Sequence, residues 1–140
     1  MGTAETEHFG RYILASILVF WTLVGIPYGE DKVTLPAHNM TVLGVEIDTP
    51  TMTARLPKDK IAAYLHHINI ATHAPQSIKS LQSLAGKLAW AGRVIPVGRR
   101  LTKALHNEIG LFPHSPALQN VSHHARTALD SWADLLRNPQ

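Results

Sequence analysis

The chain has 140 residues, a formal net charge of +3, a hydrophobic fraction of 45% and a charged fraction of 16%, values of a single ordinary globular domain that exclude a disordered chain. The absence of cysteine excludes a disulfide scaffold and any thiolate metal site and is compatible with a reducing compartment. An aromatic share of 6% leaves most of the core to aliphatic residues, and so small a net charge identifies no partner until its distribution is known.

Residues near 9–25 read as one helix, stopped by Gly25 and Pro27. Nothing between Tyr12 and Tyr28 is charged, yet a bilayer span needs about 20 residues and a signal peptide wants a positive start. Here Glu5 and Glu7 come first. A buried helix is the favoured reading; a signal or anchor segment and an aberrant gene-model start are the alternatives. A polar turn follows at Gly29-Glu30-Asp31-Lys32. From Met40 to Ile47 the period changes to strand alternation, with Thr41, Leu43, Val45 and Ile47 on one face. Asp48-Thr49-Pro50 is turn material, and Met52, Ala54 and Leu56 resume the alternation. These two runs predict an antiparallel hairpin over 40–56.

The remainder predicts helices over 58–72, 77–95, 98–109 and 122–137. Pro57 suits a first helical turn. Ile61, Leu65 and Ile68 make one stripe, and Ile78, Leu81, Leu84, Leu88 and Ala91 another. Pro75 opens that second helix and Pro96 breaks or kinks it. Gly86 inside it costs roughly 1 kcal/mol against alanine, which implies a close approach by another element. Leu101, Leu105 and Ile109 form the third stripe. A loop with two prolines occupies 112–117. Ser122 is placed to cap the last helix, striped by Ala125, Leu129, Trp132 and Leu136, with Pro139 beyond it. The fold class is therefore α+β, mostly α: an N-terminal helix, one hairpin and about four helices. A lone hairpin is marginal in water, so it must lie on the helices or belong to a larger sheet.

Two stretches carry a resemblance. One is Gly25-Ile26-Pro27-Tyr28-Gly29-Glu30-Asp31-Lys32 followed by Leu43-Gly44-Val45-Glu46-Ile47-Asp48. The other is Leu81-Gln82-Ser83-Leu84-Ala85-Gly86-Lys87-Leu88, running on through Arg93-Val94-Ile95-Pro96-Val97-Gly98-Arg99. In this order, and with a tryptophan helix from Ala125 to Leu136, they resemble the end of the palm (1–56) and the thumb and connection helices (57–140) of reverse transcriptases from DIRS-type retroelements. The resemblance implies an RNA-directed DNA polymerase fragment whose fingers and most of the palm would precede residue 1. It implies a primer-grip role for Leu43, Gly44, Val45 and Glu46, and a place beside the departing pyrophosphate for Lys32. The implied partners are a template–primer and the absent palm, fingers or RNase H part of the element.

Catalysis is not expected of this chain. Polymerases clamp the reacting oxygens with two Mg²⁺ ions on paired aspartates. Here aspartates stand only at 31, 48, 59, 130 and 134, none adjacent, so no cofactor is expected. What remains is a basic set: Lys79, Lys87, Arg93, Arg99, Arg100 and Lys103, with no acid between the first and the last. Such asymmetry suits phosphates; the bland alternative is a solvated face of ordinary helices. The nine histidines include the pairs His66–His67 and His123–His124, and show no His-Glu-x-x-His spacing, so exposed non-ligand histidines are expected. Trp90 and Trp132 sit among apolar helical neighbours and read as core rather than as base-stacking platforms. Two further readings compete: a non-catalytic helical interaction protein, and a small protein anchored to a membrane through residues 12–28.

Overall fold

The computed structural model describes residues 3–111 and 118–138. Along the chain come α1 (Thr3–Leu23), a 3-10 turn (Glu30–Lys32), β1 (Asn39–Val42), β2 (Val45–Asp48), β3 (Thr53–Arg55), α2 (Lys58–His73), α3 (Ile78–Ala91), α4 (Gly98–Leu111) and α5 (His123–Arg137). The α+β, mostly helical class expected from the sequence is the one observed. The 112–117 loop, with His114, and the stop at Pro139 lie outside the described residues. Two compact units are present: Met1–Met40 with Ile47–Thr53, and Thr41–Glu46 with Ala54–Gln140.

In the first unit α1 ends as its glycine requires. Gly25 takes φ +72, its N–H bonds to Thr22 O at 3.2 Å, and the Ile26 N–H reaches back to Trp21 O at 2.9 Å. This paired closure satisfies two carbonyls that the last turn leaves open. The expectation of a buried helix is corrected: Phe9, Tyr12, Val19, Phe20 and Leu23 are all well exposed. Within its own unit the helix is accompanied only by a short 3-10 turn, loops and strand ends, too little chain to cover an apolar surface 21 residues long. No helix among the described residues is long and apolar enough to cross a membrane.

The sheet has the order β1-β2-β3, which corrects the single strand expected over 40–47. Leu43 (φ 50) and Gly44 (φ 75) both turn left-handed, as the two central residues of a tight hairpin do. The chain therefore reverses where alternation suggested continuity. Leucine in that conformation costs about 1–2 kcal/mol, and at 81% exposure burial returns little of it. The expected hairpin is the second one, β2 to β3, where Asp48 Oδ1 accepts the Thr51 N–H at 3.2 Å.

In the second unit α2, α3, α4 and α5 form a closed ring in which each helix packs on two neighbours: α2 on α3, α3 on α4, α4 on α5 and α5 back on α2. The stripes read from the sequence supply the core, with Leu81, Leu88, Leu105, Leu129, Trp132 and Leu136 essentially inaccessible. Two polar ties close the ring's ends. Gln76 and Gln119 exchange backbone hydrogen bonds of 2.7 and 2.9 Å, joining the α2–α3 and α4–α5 connections. The Ser122 N–H and Oγ donate to the two oxygens of buried Glu108, at 2.7 and 2.6 Å, while Ser122 Oγ also caps α5 by accepting from Ala125 N. Ser77 caps α3 in the same way, so that helix opens at Ile78, three residues after Pro75. It ends at Ala91 rather than 95, because Ala91 O takes the N–H groups of both Val94 and Ile95 in a tightened turn ahead of Pro96.

Gly86 does not mark a close approach, which corrects the sequence reading: nothing lies within 4 Å of where its Cβ would be. Gly86→Ala is accordingly expected to stabilise the protein by up to about 1 kcal/mol, measured as a higher urea midpoint with unchanged slope. A loss of stability would place an unseen neighbour over that helix face. Tyr64 carries a second expectation. Burial raises its hydroxyl above the ordinary tyrosine range, so the folded state keeps a proton that the unfolded chain releases near pH 10. That stability is complete below about pH 10 and is lost as pH rises further. Tyr64→Phe should flatten this alkaline decline in a urea titration, and an unchanged decline would clear Tyr64 of it.

Candidate nucleic-acid interface

Of the six basic residues singled out in the sequence, Arg93, Arg99 and Lys103 meet where α3 gives way to α4, and Arg100 lies on the other flank of Lys103. Arg93 lies in the turn, its guanidinium 4.7 Å over the ring of Trp90 one helical turn back. Arg99, in the first turn of α4, donates from Nε to Gly92 O at 2.9 Å. Each arginine is thus held by a fixed contact that lowers the entropy lost on engaging an anion. Arg99, Lys103 and His106 stand at i, i+4 and i+7 of α4, one face of the helix. With Arg93 and Thr102 they line a depression of about 400 Å³. On the other flank of Lys103, between α4 and α5, Arg100, Lys103 and His124 line a second depression of about 290 Å³. No carboxylate borders either one.

Neutralisation from elsewhere is also missing. The only salt bridge among the described residues joins Asp134 to Arg137 on α5, and Glu108 is committed to Ser122. Moreover, the first turn of α4 holds two arginines and no acid. Helix N-termini carry partial positive charge, so cations there are electrostatically unfavourable. The arrangement stores repulsion that an anion would relieve.

The other two basic residues are elsewhere. Lys79 is exposed at the start of α3, roughly 18 Å along the helix from its last residue at 1.5 Å per residue. Lys87 is turned toward α2, where Nζ donates to His67 Nε2 at 3.1 Å, while His67 Nδ1 meets Ala63 O at 2.6 Å. Spacing placed both on one basic run; the helix rotation and a partner on α2 separate them. The sequence reading also passed over His106, whose only signal was its helical register with Arg99 and Lys103. It assigned Trp90 to the core, whereas that ring is half-exposed beneath Arg93; Trp132 is in the core as expected.

Of the primer-grip set, Leu43 and Gly44 are the two turn residues and Val45 and Glu46 open β2. The Lys60 side chain lies against Gly44, where a Cβ would overlap Nζ. Lys32 closes the exposed 3-10 turn. Among the described residues no three of His, Asp and Glu lie together as possible metal ligands. No protein-family model, curated protein or solved structure matches the chain.

Proposed function

We propose that the helical unit binds the sugar–phosphate backbone of a primed nucleic-acid duplex without reading its sequence, as a non-catalytic fragment similar to the thumb region of a retroelement reverse transcriptase. One observation carries the reading: Arg93, Arg99, Arg100 and Lys103 gather around α4 with no carboxylate bordering them. Phosphate contacts position a protein on nucleic acid and carry no base information, so cations without a base-reading element fit backbone binding. The turn at Leu43-Gly44, exposed and left-handed, is the part of the sheet that the resemblance would bring to a primer end. The test is binding of purified protein to primed duplex DNA across a salt titration. Affinity that falls steeply with salt supports the reading, and Mg²⁺ should bring no primer extension. Extension that survives stringent purification would overturn the non-catalytic part.

A second reading, a helical interaction protein, is favoured by the exposed apolar side chains of α1, since contiguous patches of that kind often mark contact surfaces. It requires no affinity for duplex DNA at physiological salt, so the same titration separates the two.

A further inference from the structure

We infer that the elbow between α3 and α4 is a built seat for one phosphate group, with Arg93, Arg99, Lys103 and His106 as its donors. This rests on the backbone-binding reading and deepens it, from a diffuse positive field to one defined subsite. Arg93 lies over the Trp90 ring and its guanidinium makes no hydrogen bond to the described residues, so its donors are free for the paired donation that phosphate oxygens accept. Arg99 spends only Nε on Gly92 O, and its terminal nitrogens make no hydrogen bond to the described residues. Lys103 adds a mobile point charge one turn further along α4, and His106 follows it on the same face. The open depression of about 400 Å³ that these side chains line leaves room for a phosphate to reach them. Two guanidinium groups held against fixed partners beside one depression distinguish the elbow from a basic surface whose side chains are all unanchored.

Inorganic phosphate titrated into the full chain, at ionic strength matched with sodium chloride, tests the seat. The readout is the Nε–H resonances of Arg93 and Arg99 in nitrogen–proton NMR spectra. Saturable shifts with phosphate and none with chloride are expected. Lys103→Gln, which touches no fold contact, should weaken phosphate binding about tenfold, as loss of one charge-assisted hydrogen bond does. Arg126→Gln, on the exposed surface of α5, should leave it unchanged. A non-saturating response identical to that of chloride overturns the seat, even where duplex DNA binds, and leaves only diffuse backbone attraction. Saturable phosphate binding that Lys103→Gln weakens, with no affinity for duplex DNA, upholds the seat for a small phosphoester and sinks the nucleic-acid reading instead. Saturation indifferent to Lys103→Gln places the anion elsewhere and overturns the proposal.

Discussion

Gly98→Ala should destabilise the protein by about 1–3 kcal/mol, the usual cost of overpacking a filled core. The sign contrasts with Gly86, inside α3, where the same replacement is expected to gain up to about 1 kcal/mol; Gly98 opens α4. A Cβ at position 98 would overlap the six-membered ring of Trp132, and that ring has nowhere to go. Trp132 is 1% exposed. Its Nε1 donates to Thr102 Oγ1 at 3.2 Å, and Thr102 in turn donates to Gly98 O at 3.1 Å, a loop that ties the indole to the backbone it rests on. The glycine is therefore what lets α4 and α5 approach each other. Urea unfolding of Gly98→Ala, Trp132→Phe and the double variant tests this. The smaller ring of phenylalanine should absorb much of the added methyl, so the two effects should couple rather than add. A neutral or stabilising Gly98→Ala would mean that the helices do not meet so closely.

The largest functional effect is expected from replacing Arg93, Arg99, Arg100 and Lys103 together by glutamine. Each lost phosphate contact should lower the slope of log affinity against log salt by roughly 0.9 on duplex DNA. The loss should be the same on every sequence, because these contacts touch no base edge. Stability provides the internal control. Arg100 in the first turn of α4 opposes the helix dipole, so Arg100→Gln alone should leave the urea midpoint unchanged or raise it. Arg99 differs, since it also satisfies Gly92 O. A triple variant that retains Arg99 keeps the fold while removing three cations. Equal affinity of the wild-type and triple variants across the salt range would decide for the interaction-protein reading.

Local physics determined most of the helical unit. A 3.6-residue apolar period has one face to bury, so Leu81, Leu84, Leu88, Leu129, Trp132 and Leu136 announced the core before any fold was known. Ser122 before an apolar stripe and Gly25 after one declared their caps because an orphan N–H or carbonyl needs a nearby partner. Tertiary structure decided the rest. Leu43-Gly44 became a turn although leucine resists the left-handed region, so β1 and β2 were read as one strand; periodicity cannot register a reversal inside an apolar run. Gly86 and Gly98 look alike in sequence, yet only Gly98 meets another helix, a fact that depends on where Trp132 arrives from 34 residues away. The basic run was visible as composition. Which of its members share a site was not, because helix rotation and the His67 partner of Lys87 are set by packing across the ring. His106 joined the site for the same reason: a register along α4 acquires meaning only once the elbow brings Arg93 across from α3.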